Sequence, residues 1–86
     1  MDYTNQINQI RDFVVTNFLF GDAGALQNDT SFLESGTVDS TGMLELIMFL
    51  ESTYSFKIEP EEMVPENLDS IDRVVQFLAN RQVIAH

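Results

Sequence analysis

Apolar residues at Ile7, Ile10, Phe13, Val14 and Phe18 recur at intervals of three and four, the spacing that gathers side chains on one face of a helix. The pattern predicts a first helix from about Tyr3 to Leu19, stopping near Phe20-Gly21. The segment GDAGALQNDTSFLESGTVD that follows has three glycines and scattered turn formers, and reads as a long loop reaching Asp39. Loops of this length in compact chains serve a function or hold a short packed segment of their own, and Phe32 and Leu33 are the expected anchors into the core.

A second helix is predicted from Ser40 to about Thr53, with Asp39 as N-cap because its carboxylate can accept from the free amides of the first turn. At ~100° per residue, Met43, Leu46, Ile47, Leu50 and Tyr54 gather into a core stripe. Leu44 and Met48 fall on the other side of Ser40, near Thr41, Glu45 and Glu51, and are expected to be at least partly exposed; Phe49 suits either environment. In IEPEEMVPEN, Pro60 suits the opening turn of a short helix over roughly Pro60 to Met63, which Pro65 is expected to end. Ser70 reads as the next N-cap, and Ile71, Val74, Val75 and Leu78 supply the apolar face of a last helix. No segment alternates with period two for long, so the expected fold is all-α: a four-helix bundle of three main helices and a short one, with a long first loop.

At 86 residues the chain is expected to be one domain, 1–86, too small to build a cleft for multistep chemistry easily. Without cysteine it has neither disulfides nor a thiolate metal site. The start, with Asp2 in place of a basic segment, and the lack of a long apolar run imply a soluble, cytoplasmic protein that inserts in no membrane, and a monomer is expected. Charge narrows the partners further, since 14 acidic residues against 4 basic ones leave a net charge of −10. All the acids but Asp2 and Asp12 lie from Asp22 to Asp72, where Lys57 is the one basic residue. Such a field excludes nucleic acid and attracts a partner with an Arg/Lys patch, although acidity also simply keeps a small protein soluble.

Ser40 invites a chemical reading. A catalytic serine needs a base in hydrogen-bond reach and a group to orient it, and the chain offers only the terminal His86, with nothing in its spacing to bring Lys57 close. DSTG does not match the aspartic-protease motif in spacing, so no catalytic constellation is expected. Two readings remain from the residues alone. Ser40 shares in capping, or its hydroxyl stands where free amides and the helix dipole favour an attached or bound phosphate. The NDT triplet at Asn28 is expected to be a loop turn, and Met63 a filler of core gaps.

The run SFLESGTVDSTGMLELIMFLESTYSFKIEPEE resembles the acyl and peptidyl carrier protein family around its phosphopantetheine attachment serine. The ordered set comprises Phe32, Gly36, Asp39-Ser40, Glu45-Leu46, Leu50-Glu51, Tyr54, Ile58 and the acidic short helix. The resemblance implies a bundle of acyl-carrier type whose Ser40 is esterified by a separate phosphopantetheinyl transferase using coenzyme A. The resulting 4′-phosphopantetheine holds acyl or aminoacyl groups as thioesters on its own thiol. It also implies that Asp39 contacts the transferase or helps to position its metal. Residues at Leu44, Glu45, Met48 and Glu51, with Thr41 beside the arm, would meet ligases, synthases and transferases bearing basic patches. Departures point to a specialised, free-standing carrier: Thr41 replaces the usual Leu, and Phe49 is bulkier than the residue frequent there. Gly42 is unusual in a first helical turn, either a neutral choice or one that lets a partner approach closely. The Gly-x-x-Asp-Ser pattern, Gly36 to Ser40, is also similar to D-alanyl carrier proteins of cell-wall modification, which form the alternative carrier reading. Outside the carriers, the rival is a helical adaptor that binds through Leu44, Met48 and Phe49, with Ser40 only a cap.

Overall fold

The computed structural model describes residues 3–19, 21, 24 and 26–84, and these contain helices and no strand, as the periodicity predicts. Asp2, Phe20 and His86, singled out in the sequence, lie outside the described residues. Helix α1 spans Thr4–Phe18 and buries Ile10 and Val14 completely, with Ile7, Phe13 and Phe18 packed at the edge of the core. It closes where Leu19 and Gly21 both donate to the Val15 carbonyl, at 3.2 and 2.9 Å. Gly21 does so at φ 88, a left-handed conformation that favours glycine.

The long loop holds a packed segment, the one-turn helix α2, Phe32–Ser35. Ser31 caps it, accepting from the Glu34 amide at 3.1 Å, and Phe32 is 0% exposed. Leu33 departs from the expectation of a second anchor, being 41% exposed. A single turn presents one face, and with Phe32 turned inward its neighbour points along the surface. Side chains from elsewhere stitch the loop down. The Asp69 carboxylate accepts from the Ser31 hydroxyl and from the Leu33 amide (2.9 Å), while the Asp69 carbonyl accepts from the Phe32 amide (2.8 Å). Arg11 donates to the Leu26 carbonyl at 3.0 Å and to the Asn28 side chain, and the Asn28 carbonyl accepts from the Asp72 amide at 2.9 Å. The NDT segment is accordingly a loop turn.

Helix α3, Ser40–Tyr54, buries Leu46, Ile47 and Leu50. Its far end is tied to α1 by the Tyr54 hydroxyl, which donates to Gln9 at 2.6 Å and whose pKa is raised by partial burial. A 3₁₀ turn follows at Pro60–Glu62. The Glu62 carboxyl lies below its ordinary pKa because it accepts from the Glu59 amide and, further, pairs with Arg81, against the opposing effect of burial. Pro65 does not merely end this turn; it opens a second short helix, α4, Pro65–Leu68, where its fixed φ and missing N–H suit the first helical position. Helix α5, Ile71–Asn80, starts at Ser70, whose hydroxyl accepts from the Arg73 amide at 3.1 Å. Its Ile71, Val74, Val75 and Leu78 close the core against Ile10, Val14, Phe32, Leu46 and Leu50.

The stitching through Asp69 sets an expected cost for its removal. Asp69→Ala leaves the α2 end without a carboxylate acceptor and should destabilise the fold by about 1–3 kcal/mol, read as a lower urea midpoint at unchanged slope. An unaltered midpoint would mean that the Asp69 carboxylate adds nothing to the docking of the loop.

Candidate functional site

The start of α3 follows from three neighbouring side chains with different tasks. Val38, 1% exposed, enters the core and fixes where the loop ends. Asp39 is extended (φ −92, ψ −176), and its Oδ1 accepts from the Gly42 amide at 2.6 Å, so it is the N-cap that the sequence predicts. Ser40 is then the first helical residue, exposed, and among the described residues no hydrogen bond engages its hydroxyl. Because the carboxylate of Asp39 does the capping, the hydroxyl is left over.

Gly42 is buried, and the reason is internal to the chain. A Cβ on it would lie 2.7 Å from Phe18 Cε1, 3.1 Å from Val38 Cγ1 and 3.2 Å from Asp39 Oδ1. Of the two readings of this glycine, a neutral choice or room for a partner, neither holds as stated: the close approach is made by the end of α1. Phe18 is itself edge-on to Phe13 (5.8 Å between ring centroids), and Phe13 stacks on Phe49 at 4.2 Å. The aromatic at position 49 thus belongs to the α1–α3 seam, where it stays half-buried.

Beside Ser40 opens a pocket of about 170 Å³ lined by Leu33, Met43, Met63, Val64, Pro65 and Leu68. Met63 is 39% exposed, so it borders this pocket instead of filling a core gap. Of the residues expected to face partners, Thr41, Leu44, Glu45 and Met48 are exposed, with Leu44 at 57% and Met48 at 67%. Glu51 is partly buried, and its Oε2 accepts from the Ile58 amide at 2.9 Å, which commits that oxygen to the turn after α3. Three guanidinium groups are turned toward their own chain: Arg11 to the loop, Arg73 to the Glu66 carbonyl, and Arg81 to Glu62 and the Lys57 carbonyl. None of these guanidinium groups is therefore turned to Glu45, the exposed acid of α3.

Lys57 follows the C-terminal end of α3, and a helix of 15 residues at ~1.5 Å each puts roughly 20 Å between it and Ser40. Among the described residues there is no group of three or more His, Cys, Asp or Glu that could hold a metal, and no helix long and apolar enough to cross a membrane. The arrangement can present a surface hydroxyl at a helix start, next to an apolar pocket and in a negative field. Sequence reasoning missed the pocket and the Phe18 contact; a glycine in the first turn of an otherwise regular helix was the one available signal for the latter.

No protein-family model matches the chain. Similar proteins are nevertheless found. The acyl carrier protein of Chlamydia caviae is 30% identical over 69 residues, covering 80% of this chain and 87% of that protein. The acyl carrier protein of Brachyspira hyodysenteriae is 34% identical over 56 residues, 65% of this chain and 72% of the relative. The D-alanyl carrier protein of Streptococcus pyogenes is 33% identical over 54 residues, 63% and 68% of the two chains.

The Phe18–Gly42 contact is open to a double-mutant cycle. Gly42→Ala gains up to about 1 kcal/mol of helix propensity but crowds the Phe18 ring, so in the native background it should destabilise the protein. In a Phe18→Ala background the same change should be neutral or stabilising, a coupling of about 1 kcal/mol or more by urea denaturation. Equal effects in the two backgrounds would remove the contact from the account.

Proposed function

The chain belongs to the acyl carrier protein family, and we propose that it works as a free-standing, single-domain carrier with 4′-phosphopantetheine attached at Ser40. The observation that carries this reading is the exposed, uncapped hydroxyl at the first position of α3, with the apolar pocket at its side. These residues fit the group. Free first-turn amides and the helix dipole favour a phosphate at Ser40. Met43, Met63, Val64 and Leu68 give the uncharged part of an arm or its cargo an apolar wall. When bound, the arm supplies the thiol that forms a thioester with an acyl or aminoacyl group, chemistry for which the chain has no cysteine of its own.

The protein's own residues then hold and present. Asp39 keeps the helix start in place and, being exposed, is available to the phosphopantetheinyl transferase. Leu44 and Met48, with Thr41, Glu45 and Glu51, form the strip on which the transferase and the loading and consuming enzymes dock, their cations matched to its carboxylates. Within this reading the protein is a monomeric cytoplasmic substrate of other enzymes and performs no catalysis. One observation favours a small cargo. A pocket of about 170 Å³ with no charged side chain in its lining suits a short, uncharged acyl group better than a long chain.

Incubation with coenzyme A and a broad-specificity phosphopantetheinyl transferase should add one phosphopantetheine group by intact mass, and Ser40→Ala should abolish the addition while folding normally. A native protein that gains nothing, or a Ser40→Ala variant that still gains the group, overturns the proposal and leaves the adaptor reading.

A further inference from the structure

The opposite flank of α3 carries a second apolar feature. Phe13 and Phe49 stack at 4.2 Å with planes 16° apart, both half-buried, between two adjoining shallow, open grooves that share these rings with Asn17 and Thr53. Asp12 borders one groove; Glu45 and Met48 border the other. The face is therefore continuous with the exposed Met48, which lies eight residues, or about 12 Å along the helix, from Ser40. Aromatic residues and Met are the side chains enriched in binding patches, and here Phe13, Phe49 and Met48 lie together on one open face.

Charge selects the occupant. The cation next to this face, Arg11, is turned away to the Leu26 carbonyl and Asn28, so the lining holds Asp12 and Glu45 and no basic group. A second copy of the chain would set these carboxylates against each other at a net charge of −10 per molecule. Lys57, Arg73 and Arg81 are not among the residues that line these grooves. A partner that reaches Ser40 and covers some 800 Å² must extend beyond the Leu44–Met48 strip, and on this side it meets acids and aromatic rings together.

We propose that the α1–α3 face built on Phe13, Phe49 and Met48 is a docking surface for a basic enzyme acting at Ser40, which sets an apolar side chain against the stacked rings and cations against Asp12 and Glu45. The proposal rests on the carrier reading, and the probe is the broad-specificity phosphopantetheinyl transferase itself. Phe49→Ala is a poor test alone because it also disturbs the stack, so the decisive comparison is between Asp12→Lys and Asp72→Lys. Both positions are exposed and both changes alter the net charge equally, but Asp72 lies on α5. Asp12→Lys should lower kcat/KM for arm addition about tenfold through KM, with kcat at saturating carrier unchanged and a weaker dependence on salt. Asp72→Lys should stay within about twofold of the native protein. Equal kinetics for the two variants, with the native protein modified normally, overturns the docking surface and spares the carrier reading. Failure of the native protein to accept the arm overturns both.

Discussion

The edge of the Phe18 ring meets the backbone of Gly42 so closely that a Cβ would stand 2.7 Å from it. The contact fixes how the first turn of α3 is rotated, and helix geometry turns that single buried position into a rule for its neighbours. With position 42 facing inward, steps of ~100° carry Leu46 and Leu50 into the core and leave Ser40, Thr41, Leu44 and Met48 outside. Val38, one step before the cap, completes the clamp from the loop side. The exposure of Ser40 is therefore a consequence of the packing at position 42.

A division of labour makes this arrangement stable. In a helix start of the sequence Asp-Ser, both residues are able to cap, and here the carboxylate takes the Gly42 amide. The loop leading to it is long, and the entropy of ordering it is offset at a few points: Phe32 in the core, Asp69 holding α2, and Arg11 and Asn28 joining the loop to α1 and α5. Glu51 does the same at the far end of α3 through the Ile58 amide. Each of these polar groups is spent on backbone that would otherwise lack a partner, and Glu45, the acid left over on α3, faces solvent.

Much of this was legible in the sequence. The three main helices, the caps Asp39 and Ser70, the core stripe of α3 and the exposure of Leu44 and Met48 all follow from period and local chemistry, because these are decided within a turn or two of the chain. What was not legible depends on residues far apart. Gly42 signals that something comes close, but only the fold shows that it is Phe18, twenty-four positions earlier. Pro65 fits the end of one short helix and the start of another equally well, and the choice rests on how Leu68 finds the core. Leu33 and Met63 look like core residues by type; they border the Ser40 pocket because the short elements that carry them, α2 and the turn after Glu62, are too brief to bury more than one side.

The two flanks of α3 differ in a way that bears on how so small a protein works. On one side, Met43 faces Met63, Val64 and Leu68 across a pocket with no charged side chain in its lining. On the other, Met48 and Phe49 lie among carboxylates and hydroxyls. An apolar wall without charge gains nothing from a basic protein and suits an uncharged chain; an apolar patch rimmed by acids attracts cations from a distance and then offers contact area. Under the proposed function the helix would separate what is held from what does the handling, with Ser40 at the end common to both flanks. On that proposal the work asks for no cleft, only one oxygen in a fixed place and two surfaces that do not compete for the same ligand.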